Sequence, residues 1–130
     1  MGVLRALPAV TLRADPAGFR IIGALDRIVR ALPRDLMVTV GANGHAPDDP
    51  HTKGRGFDVR THDQTSEQRT FLLRALLLDL QDAPDDAPQP LATVPLENLA
   101  TRRFFAQIED PEGPNEHLHV QQRKGVPFPG

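Results

Sequence analysis

The chain predicts an α+β fold, a small and largely antiparallel sheet with packed helices. Three observations predict it: an apolar helical period behind Asp15-Pro16, a second period behind a Thr65-x-x-Gln68 pattern, and two alternating C-terminal segments separated by a Pro/Gly turn. At 130 residues with 39% hydrophobic content, the chain has the size of a single hydrophobic core.

Asp15 followed by Pro16 reads as an N-cap with proline at the first helical position, and Pro33 ends the run. Between them Phe19, Ile22, Leu25, Val29 and Leu32 recur at helical spacing. Leu36 to Val40 is a short β-branched stretch and predicts a buried strand. Residues 41–56 form a long Gly/Pro/Asp/His segment, of the kind that carries function in a small domain. Gly56 to Arg60 predicts a second strand. Thr65 and Gln68 have capping-box spacing, with Phe71, Leu72, Ala75, Leu76 and Leu80 as the apolar stripe behind them.

Residues 82–90, acidic and rich in Pro and Ala, predict an exposed excursion, and residues 91–101 a short helical turn. Phe104, Ala106 and Ile108 alternate with polar residues as a half-buried strand does. Residues 110–115 predict a turn, and Glu116 to Gln122 a last strand, so the two strands form a hairpin. The expected organisation is one domain over 1–130, with an N-terminal arm at 1–14 and a C-terminal tail at 123–130.

Composition narrows the chemistry. With no cysteine, disulfides and thiolate metal sites are excluded, so a metal would be held by His, Asp or Glu. A net charge of −2 gives no support for a nucleic-acid partner or an anionic membrane surface. No window approaches the ~20 apolar residues of a membrane span, so membrane insertion is not expected. The first dozen residues are broken by Arg5 and Pro8 and form no secretory h-region. Synthesis in the cytoplasm is expected, with any action outside the cell reached by another route, such as lysis or assembly into a larger particle.

Chemistry concentrates in two segments. His51 and Asp58 are seven residues apart, separated by Gly54 and Gly56, whose freedom lets the loop curl back on the strand. His117 and His119 stand at i and i+2 on a predicted strand, so both point to one face while Leu118 and Val120 point to the core. A catalytic zinc takes three protein ligands and keeps one position for water. Four ligand-type residues exceed that number, leaving one for acid–base work.

His51-x-x-Gly54-x-Gly56-x-Asp58 is similar to the His-x-x-Gly-x-Ala-x-Asp signature of the zinc D-Ala-D-Ala peptidases, which include vancomycin-resistance dipeptidases and phage endolysin peptidases. Glu116-x-x-His119 resembles that family's Glu-x-x-His ending, and Val38-Thr39-Val40-Gly41 its strand and turn before the first ligand. The resemblance spans roughly residues 17–122 and is greatest to small phage and prophage members. It implies a hedgehog/DD-peptidase-like fold and one Zn2+ held by His51, Asp58 and His119. It also implies Glu116 as general base, with His117 as the other catalytic candidate.

The implied activity is metallopeptidase hydrolysis of D-amino-acid-containing bonds in peptidoglycan stem or crosslink peptides, in carboxypeptidase or endopeptidase mode. Asp49 stands where the family often has Ser, and Asn43 where many members carry a substrate-positioning Arg. Lys53, Arg55 and His117 are the cations available to replace that Arg. Together with His45, the loop residues Asn43, Asp49, Lys53 and Arg55 are the substrate-contact candidates. The alternative is a non-catalytic, metal-containing module of the same fold that binds cell wall or builds a phage particle.

Overall fold

Asp58 and His119 are direct register partners on two neighbouring antiparallel strands. The computed structural model describes residues 2–7, 16–40, 56–81, 101 and 103–123. The elements run β1 (Leu4–Ala6), α1 (Pro16–Val29), β2 (Leu36–Val40), β3 (Gly56–Arg60), α2 (Ser66–Leu80), β4 (Phe104–Glu109) and β5 (His117–Gln122). The five strands form one sheet in the order β1-β2-β3-β5-β4. β1 runs parallel to β2, and every other pairing is antiparallel. The fold is therefore α+β with a mixed five-stranded sheet and two helices.

The strands obey the period of two. Leu36 and Val38, Phe57 and Val59, Phe104 and Ala106, and Leu118 and Val120 are all buried and form one core with the helices. Their neighbours Thr39, Asp58, Gln107 and His119 take the other face, which is polar. The alternation expected for β4 and β5 is met, and the hairpin is in register from Phe104↔Gln122 to Glu109↔His117.

Both helices seat on the apolar face, but each is rotated from the expected stripe. In α1 the buried side is Ala17, Ile21, Ala24, Leu25, Ile28 and Val29, while Phe19 is 63% exposed. The small Ala17 and Ala24 let the helix approach its neighbours closely, which a stripe led by Phe19 would prevent. In α2 the buried residues are Leu72, Leu73, Leu76, Leu77 and Leu80, with Phe71 left half exposed. Apolar residues surround α2, so its periodicity did not select a face. The capping box is present: Gln68 N donates to Thr65 Oγ1 at 3.2 Å and Thr65 N to Gln68 Oε1 at 2.9 Å. Asp79 ties the two helices together by pairing with Arg20 and Arg27.

Part of the expected N-terminal arm is strand β1. Gly2 N donates to Leu32 O at 2.9 Å, and a Cβ at Gly2 would lie 1.9 Å from Arg34 O, so only glycine fits this approach. The turn between β4 and β5 places Asp110 and Glu112 at positive φ. Asp110 Oδ2 accepts from Asn115 N at 3.0 Å, closing the turn that starts β5 at His117.

Candidate functional site

The polar face carries three lateral rows across β4, β5 and β3. Glu109, His117 and Arg60 form the first, Gln107, His119 and Asp58 the second, and Phe105, Gln121 and Gly56 the third. Period-two spacing on β3 and β5 produces this grid, because Asp58 and Arg60, like His117, His119 and Gln121, alternate with core residues.

His119 is the centre. Its Nδ1 lies 2.8 Å from Asp58 Oδ1, and its Nε2 lies 2.6 Å from Gln121 Oε1. The Phe105 ring is tilted 43° against the imidazole at 5.7 Å between centroids. Burial pushes the His119 pKa down, but hydrogen bonds to Asp58 and Gln121 and the charges of Asp58 and Glu109 outweigh it, so the net shift is upward. His117 lies next to this pair. Its Nε2 is 2.9 Å from Glu109 Oε2 and 3.7 Å from Asp58 Oδ2, and its Nδ1 is 2.7 Å from Asn115 O. A carboxylate on one ring nitrogen and a backbone carbonyl on the other fix the ring's orientation.

Asp58, His117 and His119 are thus brought together. Glu116, expected as the base, is not. β5 begins after it, and its side chain still points to the helix side of the sheet, 2% exposed, where it forms an ion pair with Arg69 of α2. Burial raises the Glu116 pKa, and the Glu112 amide, the Thr61 hydroxyl and the Arg69 guanidinium together reverse this, so the carboxylate is favoured. Glu112 N donates to Glu116 Oε2 at 2.9 Å, and Glu112 itself pairs with Arg69. The correction has a simple cause: residues 116 and 119 differ by an odd number, and the extended chain keeps them on opposite faces.

The donor chemistry of the Asp58–His119 pair fits a zinc site in part: one carboxylate oxygen and one imidazole nitrogen face each other from adjacent strands. Among the described residues no three His, Asp or Glu side chains form a group able to hold a metal. His51, the expected third ligand, lies outside the described residues, as do Asn43, His45, Asp49, Lys53 and Arg55. Two clefts among the described residues lie away from this face. One is lined by Leu32, Arg34, Gln64 and Phe71, the other by Arg5, Phe19 and Ile22.

Sequence reasoning passed over Glu109, Gln121, Arg60 and Arg69. Counting by twos from His119 reaches Gln121, and from Asp58 reaches Arg60. Glu109 needed the hairpin register and Arg69 the helix orientation. Asp63 Oδ2 pairs with Arg34 at 3.2 Å, and the neighbouring His62 is exposed. No helix among the described residues is long and apolar enough to cross a membrane. Comparison with family models, curated proteins and solved structures returned no match.

Proposed function

We propose that this chain is a zinc-dependent hydrolase of peptide bonds in bacterial cell-wall peptides, working on the polar face of its sheet. The observation that carries the reading is Asp58 Oδ1 and His119 Nδ1 facing each other at 2.8 Å with His117 beside them. Asp58 and His119 would hold the metal, with His51 as third ligand from the segment before β3. A bound zinc ion supplies Lewis acidity and a water of lowered pKa.

The chain's own groups supply the remaining chemistry. His117 would be the acid–base residue of this face in place of Glu116, because it combines a titratable side chain, an orienting carboxylate at 2.9 Å and proximity to Asp58. Glu109 holds its ring, and His117 would take a proton from the attacking water. His117 would then deliver that proton to the leaving amine. Arg60, beside His117 in register, would contact a substrate carboxylate, the role for which Lys53 and Arg55 were the expected candidates. The hedgehog/DD-peptidase likeness and the phage setting belong to the same reading and rest on the His51–Asp58 and Glu116–His119 motifs.

The test measures bound zinc and amino groups released from purified peptidoglycan, in the wild type, His119→Ala and His117→Gln. One zinc per chain and release of amino groups in the wild type support the proposal, with zinc lost in His119→Ala. His117→Gln should keep the metal and lose the activity. A wild type that binds no zinc overturns it. The withdrawal of Glu116 into its pair with Arg69 favours a second reading, a metal-containing wall-binding or phage structural module. Wall binding without amino-group release would select that reading.

A further inference from the structure

We infer that the open edge of β1, with the cleft between β1 and α1, docks an extended segment of a partner protein that carries an acidic residue between two apolar ones. The pairing of β1 with β2 fixes which backbone groups are open. Leu36 N donates to Val3 O at 3.2 Å and Leu7 N to Val38 O at 3.1 Å, so Val3, Arg5 and Leu7 turn their backbone polar groups toward β2. Leu4 and Ala6 therefore turn N–H and C=O outward, and no group among the described residues bonds to them there. An edge with open donors and acceptors two residues apart is a template for one more strand.

The surroundings of that edge select the occupant. Leu4 and Ala6 are in register with the core residues Leu36 and Val38, so residues placed across from them on an added strand face the helix side. There they meet a cleft of about 420 Å3, walled by Leu4, Ala6 and Val38 from the sheet and by Phe19 and Ile22 from α1. An apolar side chain in this cleft covers part of Phe19, which is 63% exposed. The residue between the two apolar ones falls opposite Arg5, on the other face. Arg5 has a side chain 58% exposed and meets Asp35 through Nε at 2.6 Å, so its terminal nitrogens are open to a second carboxylate. Asp26, which also lines the cleft, is already paired with Arg30 at 2.8 Å. The charge on Arg5 also argues against a second copy as occupant. Pairing β1 with itself so that Leu4 and Ala6 are both satisfied puts two Arg5 side chains directly opposite each other, a destabilising contact. The apolar–acidic–apolar pattern reads the same in both strand directions. Because β2 separates β1 from β3, docking leaves Asp58 and His119 uncovered.

The probe is a fluorescently labelled peptide, Thr-Val-Glu-Val-Thr, blocked at both ends, with Thr-Val-Lys-Val-Thr as its control. Fluorescence anisotropy should show saturable binding of the Glu peptide, about three- to tenfold tighter than the Lys peptide, and Arg5→Gln should erase that preference. In 15N spectra of the wild type, the Leu4 and Ala6 amides should shift during the titration. Ala6→Pro removes an outward N–H without touching a β1–β2 bond, and should weaken binding severalfold to about tenfold. Phe19→Ser, at an exposed position, should weaken it by a similar factor, and it supplies the same comparison if circular dichroism shows that the proline variant does not fold. Absence of saturable binding overturns the inference. Equal affinity in the wild type and Phe19→Ser, or amide shifts that spare Leu4 and Ala6, overturns it too. A dimer that forms with rising protein concentration and is lost in Ala6→Pro assigns the edge to a second copy, which also overturns it. Every measurement is made without zinc, so none of these outcomes depends on the hydrolase reading.

Discussion

Arg69 of α2 and Glu116 at the entrance to β5 form an ion pair behind the sheet, on the side away from His119. The pair locks the end of the β4–β5 hairpin onto the helix layer. Removing Glu116 leaves the buried Arg69 guanidinium with only the exposed Glu112 as its partner. Glu116→Gln should therefore cost about 3 kcal/mol, read as a fall in the urea midpoint. The double variant Arg69→Met/Glu116→Met should recover part of that loss, because the one charge it leaves without a partner, Glu112, is exposed to solvent. The Glu116 pKa is lowered, so its contribution is present above the ordinary glutamate value and is lost as pH falls through the lowered one. Zinc affinity should not change in Glu116→Gln, since the side chain does not reach the metal side.

His119 gives the opposite pH dependence. Its pKa is raised above 6.5 in the folded protein, so in metal-free protein its contribution is fully present below that value. That contribution is lost as pH rises through the raised value. Urea midpoints of the metal-free protein should fall over that window, and Asp58→Asn should flatten the fall. If His119 holds zinc as proposed, saturating zinc should remove the same window, because the metal would take the place of the proton on Nδ1.

His117 and Glu109 should separate chemistry from metal binding. His117→Gln is expected to keep bound zinc and to lower peptide hydrolysis by about 100-fold or more. Glu109→Gln keeps a hydrogen-bond partner for Nε2 but removes the charge, and should lower hydrolysis by roughly tenfold. Metal content and turnover on the same preparations decide both.

Asp79 is held at about 2, against an ordinary 3.8, first by its hydrogen bond to Arg27 and then, against the opposing effect of burial, by Arg20. Its stabilisation is therefore present above the ordinary value and lost as pH falls from about 4 to about 2. Arg27 is more than half exposed, so solvent screening reduces the effect to on the order of 1–2 kcal/mol. Asp79→Asn should lose that amount at neutral pH and nothing at the acid end, as followed by circular dichroism.

Local rules carried the sequence reading a long way. β2, β3, the capping box and the hairpin are short-range features, and each lies where alternation or cap spacing puts it. The choice of helix face was not local. Phe71, Leu72 and Leu73 are consecutive and apolar, and only the presence of the sheet decides that Phe71 is the one turned out. β1 escaped notice because it pairs in parallel with a strand 32 residues away. At the site, Asp58, His117 and His119 were legible from residue type and parity. Glu116 was placed by its motif, and its odd spacing from His119 explains why the structure has it on the other side of the sheet.

Asp58 and His119 meet through strand register alone, without a turn or helix shared between them. A slip of β5 by one residue would turn His119 to the apolar side and bring Val120 or Leu118 to Asp58. The polar face then works as a proofreader of strand pairing, since an ion bridging these two residues would reward only the correct alignment. Zinc supplied during refolding should speed recovery of the native sheet rather than only raise its final stability.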